Sequence, residues 1–388
     1  MIERSISDHV RQVAGHYPVI TITGPRQSGK TTLGRMLFSD KPYVNLEAPD
    51  VREGVRSDPR EFLSRHRTGA VIDEVQRVPE LLSYLQVEVD ERPEPGRFVL
   101  TGSVNMALLG AVSQSLAGRT ALVTLLPLGL DEIGRFGEPC EDLIEAMWRG
   151  SYPAVFDRSI PPPEWYASYV GTYVERDVRQ ILNVGDLIAF QTFLRLCAGR
   201  TAQLLNLSSL ASDCGVSHNT ARSWLSVLEA SYIATRLPPL TASLTKRQVK
   251  TPKLHFLDTG LVCYLLGVTS PDQLAHHPLR GAVFETWVVS EVMKAHARTG
   301  QRGGLHFHRD RKGNEVDLVI ERGDKLLAVE TKSGQTIASD FFRGLDLFEK
   351  RAGATPVTKV LVHGGDAAHT RQGTRLVPWN AMDDHSWT

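Results

Sequence analysis

Along the first third of the chain, short runs that are apolar at nearly every position alternate with amphipathic, charge-rich stretches. The pattern predicts a helix over Ile2–His16, a strand over Val19–Thr23, a helix over Lys30–Phe38 and a short strand over Tyr43–Glu47. A charged helix over Glu61–Arg67 follows. The run Gly69-Ala70-Val71-Ile72, closed by Asp73 and Glu74, and a strand over Arg97–Ser103 complete the alternation. Continuous apolar runs belong to strands covered on both faces. The expectation is therefore a parallel sheet between helices, with any ligand at the C-terminal ends of the strands.

Helical spacing dominates the middle. After Pro161-Pro162-Pro163, helices are predicted over Trp165–Leu182 and Leu187–Gly199. Ser208–Arg222 reads as helix, glycine turn, helix: Leu210, Ala211 and Val216 pack, while Ser217, His218, Asn219 and Arg222 project near the start of the second helix. The strand Ile233–Leu237 and the basic segment Thr245–Lys250 come next. In the last third, a helix over Gly281–His296 carries the stripe Phe284, Trp287, Val288, Val292 and Ala295. Strands are then predicted over Leu305–His308, Glu315–Glu321 and Lys325–Lys332, a helix over Asp340–Arg351, a strand over Val357–Val362 and a final run Leu376-Val377-Pro378.

The residues between the first strand and the next helix turn this outline into a site. Gly24-Pro25-Arg26-Gln27-Ser28-Gly29-Lys30-Thr31 has the Gly-x-x-x-x-Gly-Lys-Thr spacing. Its glycines let the backbone turn its N–H groups onto phosphate oxygens, and the helix that follows adds the positive end of its dipole. With Thr32, these are the candidate nucleotide-binding residues, Lys30 for the β- and γ-phosphates and Thr31 for Mg²⁺. Asp73, ending a buried strand, is the candidate metal-side carboxylate, and Glu74 the candidate general base. Without the phosphate loop the acidic pair would be an ordinary turn. Thr101 and Ser103, at the end of another strand, are candidates to sense the γ-phosphate. ATP and Mg²⁺ are the expected cofactors.

Gly24–Thr31, Val71–Gln76 and Leu100–Ser103 together resemble the ATPase core of the AAA+ superfamily. More narrowly, they resemble a bacterial and archaeal group in which that core is fused to a C-terminal domain of unknown function with a nuclease-like fold. Ser115–Arg119, Tyr152-Pro153 and Tyr173–Asp177 also match, and Gly150-Ser151 stands where that group usually has two glycines. The resemblance spans nearly the whole chain. It implies ATP hydrolysis on a ring or dimer, with a helical lid after the core. Arg119 and Arg176 are the candidate arginines acting on a neighbour's γ-phosphate, the alternative for each being a structural ion pair.

In the last third, Asp317 lies on the middle strand and Glu330-Thr331-Lys332 begins thirteen residues later. Side chains alternate along a strand, so Glu330 and Lys332 share a face, as do Glu315 and Asp317. Asp317 and Glu330 are the candidate ligands of a divalent ion. Lys332 would orient the attacking water or balance phosphate charge, and Glu285 would be an additional acid. These residues resemble the PD-(D/E)XK signature, with Val316 in place of proline. The order helix, three strands, helix, strand is similar to the restriction-endonuclease-like core. Phosphodiester cleavage is the implied activity, and an inherited core used for binding or assembly is the alternative. His306 and His308 lack a third ligand at metal-binding spacing.

The fold expected is α/β: a P-loop AAA+ core over 1–135, a helical lid over 136–205, a winged helix over 206–253 and a nuclease-like domain over 254–388. A length of 388 residues suits such a division, and 41% hydrophobic with 23% charged residues is the balance of a globular chain. No apolar run has the length of a membrane span, and the first ten residues offer no signal-peptide core, so a cytoplasmic protein without membrane contact is expected. Cys140, Cys197, Cys214 and Cys263 stand far apart, which suggests neither a zinc site nor disulfides. Forty-four basic residues balance forty-four acidic ones. Between Phe190 and Lys253, however, eight Lys or Arg face two Asp or Glu, a local excess of +6. That patch makes DNA the expected partner, with docking between domains or subunits as the alternative.

Overall fold

The apolar runs of the first third become five parallel strands. The computed structural model describes residues 2–102, 112, 115–137, 140–174, 186–240, 250–383 and 386–388, and it divides into two units. The first comprises Met1–Leu128 with Ala230–Tyr232 and Ala297–Gln301. Its elements are α1 (Ser7–Ala14), β1 (Val19–Thr23), α2 (Lys30–Leu37), β2 (Tyr43–Asn45), α3 (Pro49–Ser57), α4 (Pro59–Arg65), β3 (Ala70–Asp73), α5 (Leu81–Glu91), β4 (Phe98–Thr101) and β5 (Thr120–Thr124).

The strand order is β2-β3-β4-β1-β5, all pairs parallel, with Val19 beside both Phe98 and Thr120. Alternation divides the strand residues between two cores. Val19, Ile72, Phe98 and Leu100 pack with Val55, Leu63, Leu82 and Leu85 of α3 to α5. Ile20, Ile22, Val71 and Val99 pack with Val10 and Leu33 of α1 and α2. Burial of each such side chain contributes about 1.5–3 kcal/mol, which holds the strand ends that carry the chemistry. Local signals place the helices between them: Pro49 opens α3, while the Asp58 carboxylate accepts the Glu61 N–H at 2.9 Å ahead of Pro59 in α4. The expected strand over Arg97–Ser103 is observed over Phe98–Thr101, and Ser103 lies outside the described residues.

The second unit comprises Gly129–Glu229, Ile233–His296 and Arg302–Thr388. Helices at Leu143–Arg149, Pro153–Asp157, Pro162–Tyr169 and Leu187–Ala198 share one large core. The expected helix over Trp165–Leu182 is seen as Pro162–Tyr169 running into a π-turn over Val170–Val174, and 175–185 lie outside the described residues. Next come the helices Leu207–Asp213 and His218–Ala230, joined through Gly215 at φ 68°. β6 (Gln203–Leu204), β7 (Ala234–Leu237) and β8 (Lys253–Phe256) form a three-stranded antiparallel sheet in the order β6-β8-β7. β8 therefore runs across the 253/254 limit expected from sequence.

β9 (Leu305–Arg309), β10 (Glu315–Arg322), β11 (Lys325–Lys332), β12 (Val357–His363), β13 (His369–Arg371) and β14 (Thr374–Pro378) form a mixed sheet in the order β13-β14-β12-β11-β10-β9. β9 to β11 are antiparallel neighbours, and β12 returns parallel to β11 after the helix Arg343–Ala352. Leu318, Ile320, Leu327 and Val329 pack in the large core with Phe284 and Val288 of the helix Arg280–Arg298. Val316, Val319 and Ala328 pack with Leu345 and Phe348 on the other side. The pairing with β9 shifts between Val316 and Val319, a bulge that brackets Asp317.

Candidate functional site

The phosphate loop follows β1, where Gly24 sits at φ 142°. A Cβ there would lie 2.1 Å from the Leu125 carbonyl oxygen, so only glycine lets the chain leave the strand this way. Gly29, at φ 94°, is the residue before α2 and aims the first helical N–H groups back into the loop. The Lys30 ammonium is buried and donates to the carbonyls of Pro25 at 2.7 Å and Gly24 at 3.1 Å, across the loop. From behind, the buried Arg4 guanidinium donates to Ser28 O at 2.7 Å and Leu126 O at 2.8 Å. Arg4 carried no sequence signal, because its partners are carbonyls of distant residues.

Asp73 collects the rest. Its carboxylate accepts the Thr31 hydroxyl at 3.0 and 3.1 Å and the Tyr43 hydroxyl at 2.8 Å, and also bonds to the Thr101 hydroxyl. Burial, then the bond to Asp73, push the Tyr43 phenol up, so it stays a donor. Thr31 and Asp73 are the hydroxyl and carboxylate that a Mg²⁺ ion bound beside phosphates would take, and they are already side by side. Glu74 has a left-handed backbone, φ 56°, at the strand exit, and its carboxylate bonds to the Gln76 amide. A non-glycine residue in that region is uncommon, and it turns Glu74 away from the line of β3. The pattern of strand then two acids pointed to Asp73 and Glu74, whereas Tyr43 was missed because its hydroxyl arrives from the neighbouring strand.

Arg119 is placed elsewhere. It precedes β5, whose first residue pairs with Val19, so it sits at the opposite end of the sheet from the phosphate loop. Its guanidinium makes a two-pronged ion pair with Asp90, at 2.5 and 2.8 Å. Arg119 thus does not line this chain's own nucleotide site. Arg176 lies outside the described residues.

In the second unit a cluster of acids surrounds a lysine. Carboxylate oxygens of Glu285, Glu315 and Asp317 all lie within 4.8 Å of one another. The Lys253 ammonium, from the first residue of β8, donates to Glu285 at 2.6 Å, contacts Glu315 and stands 3.8 Å from Asp317. Asp317 also accepts from the Thr331 N–H at 2.9 Å and hydroxyl at 2.8 Å. Glu330, expected beside Asp317 as a metal ligand, is outside the gathered trio: its carboxylate accepts from Lys332 at 2.6 Å. Burial, then the Asp317 charge, push the Glu330 carboxyl up to about 8. Burial alone would lower the Lys253 ammonium, but Glu285, Asp317 and Glu315 outweigh it and hold Lys253 above the usual lysine range. His306 bonds to Glu321 at 3.2 Å, and the buried His308 ring packs edge-on against Phe348.

The cluster alters the expected basic patch. Lys253 was one of its eight cations and is 1% exposed. Arg200 pairs with Asp213 and Arg236 with Glu229. Exposed Arg195, Arg222 and Lys250 remain among the described residues, and Lys246 and Arg247 lie outside them. Ser217, His218 and Asn219, at the start of the second helix of the pair, are exposed. No helix among the described residues is long and apolar enough to cross a membrane.

Residues 16–134 match a family model described as an AAA domain, and residues 140–272 and 280–382 match two domains of unknown function, DUF8612 and DUF4143. The uncharacterized protein Rv2008c of Mycobacterium tuberculosis is 32% identical over 340 residues, covering 86% of this chain and 74% of that protein. The uncharacterized protein Mb2031c of Mycobacterium bovis gives the same figures: 32% identity, 86% and 74%. Among solved structures, the Walker-type ATPase PABY2304 of Pyrococcus abyssi has a TM-score of 0.44 at 14% identity, covering 67% of this chain and 94% of that one. AMPPCP-bound DnaA from Aquifex aeolicus has a TM-score of 0.29 at 15% identity, covering 58% of this chain and 85% of that one.

Proposed function

We propose that this chain, which belongs to one family with the two mycobacterial proteins and carries an AAA-type P-loop ATPase domain, couples ATP hydrolysis to a switch that acts on DNA. The observation that carries the ATPase reading is the convergence of Lys30, Thr31 and Asp73 at the C-terminal ends of β1 and β3. Lys30 exchanges its loop carbonyls for β- and γ-phosphate oxygens, Thr31 and Asp73 hold Mg²⁺, and Glu74 takes the proton of the attacking water. Bound Mg²⁺ neutralises charge on the β- and γ-phosphates. Phosphate release by wild type and Lys30→Ala tests the reading. In this proposal a lid over 136–205 and a winged helix over 206–253 follow the core, and a ring or dimer supplies Arg119 or Arg176 in trans.

DNA contact is supported by the exposed helix start at Ser217–Asn219 and by the five cations Arg195, Arg222, Lys246, Arg247 and Lys250. Reversing charge at Arg222, Lys246 and Arg247 is expected to weaken DNA binding on the order of tenfold or more near 0.1 M salt and to flatten its salt dependence. ATPase activity without DNA should not change. Affinity unaltered at low salt would assign the segment to docking instead.

Two readings of the C-terminal core remain: a metal-dependent nuclease, and a nuclease-like fold that does not cut. The Lys253 ammonium among Glu285, Glu315 and Asp317 favours the second. Incubation of linear and branched DNA with Mg²⁺ or Mn²⁺, with and without ATP, is expected to yield no nicks. Cleavage that is lost in Asp317→Ala and Lys332→Ala would restore the nuclease reading.

A further inference from the structure

The acids Glu285, Glu315 and Asp317 come from the part of the chain that matches one domain of unknown function, and Lys253 from the part that matches the other. Lys253 is not a surface side chain folded inward. Its backbone lies in the middle strand of the three-stranded sheet, opposite Leu237 and Leu204, and its stem and ammonium are buried, with Nζ 5.5 Å from the centre of the Phe307 ring. The ammonium donates to Glu285 at 2.6 Å, contacts Glu315 and stands 3.8 Å from Asp317, close enough for charge attraction but beyond a hydrogen bond.

We infer that Lys253 is the resident cation of this cluster and that the acids accordingly take no divalent ion in the resting protein. A divalent ion bridging these carboxylates would need its oxygens at about 2.0–2.6 Å, and would stand in the space the ammonium fills, against its charge. The surroundings are set for a monovalent partner. Arg309 gives Glu315 a second cation at 3.0 Å, and Thr331 takes two of the bonds that Asp317 offers. His255, two residues along β8, has Nε2 at 3.8 Å from Glu285; burial, then the Lys253 charge, hold its imidazole well below the usual range, and so neutral. The lysine of the Glu-x-Lys pattern is not the one involved, since Lys332 is bonded to Glu330 and lies over Phe341.

This inference rests on the non-cutting reading of the C-terminal core, and metal binding rather than cleavage tests it. Full-length, nucleotide-free protein is titrated with Mn²⁺ and free ion is followed by electron paramagnetic resonance. Wild type and Asp317→Asn are expected to bind alike. Lys253→Met, which keeps the stem and removes the charge, should gain one site with affinity on the order of 100-fold higher. Lys253→Met with Asp317→Asn should lose it again. A wild-type site that Asp317→Asn removes would overturn the inference, as would a folded Lys253→Met that binds no better than wild type. If Lys253→Met does not fold, the comparison of wild type with Asp317→Asn decides. Ion uptake without cleavage sinks this inference alone, whereas cleavage of DNA by wild type sinks the non-cutting reading as well.

Discussion

Lys30→Ala is expected to reduce ATP turnover by about three orders of magnitude and to weaken nucleotide binding, whereas Glu74→Gln should bind ATP like wild type and hydrolyse it at least about 100-fold more slowly. The two residues act on different parts of the reaction. Lys30 sits in the loop itself, its ammonium 2.7 Å from the Pro25 carbonyl and buried, where a charge meets little competing water. Moving onto the phosphates, it contributes both to the bound ground state and to the charge that builds on the transferred group. Losing it removes about 4 kcal/mol of barrier lowering at roughly 1.4 kcal/mol per factor of ten. The Glu74 carboxylate is bonded to the Gln76 amide at the exit of β3. The glutamine variant keeps its shape and left-handed turn and removes only the base. Binding of a fluorescent ATP analogue and phosphate release, measured side by side, separate the two. Turnover near wild type in Glu74→Gln would remove it from the mechanism, and unimpaired binding and hydrolysis in Lys30→Ala would remove the loop itself.

The placement of the phosphate-loop candidates was legible in the chain because the motif is local. Eight consecutive residues supply the cradle, and the strand before them, Val-Ile-Thr-Ile-Thr, is rich in β-branched residues and buried on both faces, so the expected Val19–Thr23 is also the observed strand. What local pattern does not carry is the partner brought from afar. β5 was missed: Thr120-Ala121-Leu122-Val123-Thr124 alternates buried and half-buried as an edge strand, and only its pairing with β1, a hundred residues away, defines it. Tyr43 and Arg4 reach the site for the same reason. Lys253 is the sharper case. Counting charge along a segment treats an exposed cation and a buried one alike, so a buried residue that stands among three acids entered the tally as a contact for DNA. The alternation in Lys253-Leu254-His255-Phe256 held the cue, a lysine heading a strand that is buried throughout. In the C-terminal sheet, alternation paired Glu330 with Lys332 and Glu315 with Asp317 as expected, but no strand pattern could show which acids would gather around a side chain from β8.

Asp258→Ala is expected to destabilise the second unit by about 3–5 kcal/mol, more than removal of any single hydrogen bond. Asp258 is buried and stands just before the helix Thr259–Leu265, whose Leu261 N–H it caps at 2.8 Å. The same carboxylate accepts the Ser151 N–H at 2.7 Å, the Ser151 hydroxyl at 2.9 Å and the Tyr166 hydroxyl at 2.6 Å. Ser151 in turn accepts from Lys294, which is bonded to Glu291 at 2.6 Å. Gly150, at φ 70°, allows the approach, since a Cβ there would meet the Tyr166 hydroxyl at 2.0 Å. The stretch Gly150-Ser151-Tyr152-Pro153 is therefore a structural joint. Alanine takes this acceptor from the Ser151 N–H and from the Ser151 and Tyr166 hydroxyls and removes the helix cap at Leu261, each loss contributing about 1 kcal/mol. Tyr166→Phe, losing the hydroxyl's contacts with Asp258 at 2.6 Å and the Arg149 carbonyl at 3.2 Å, should lower stability by only about 1–2 kcal/mol. Denaturant unfolding followed by tryptophan fluorescence reads this unit alone, because all six tryptophans, from Trp148 to Trp387, belong to it. If Asp258→Ala unfolds no more readily than Tyr166→Phe, the carboxylate is not the centre of the joint and the four contacts share the stabilisation in some other way.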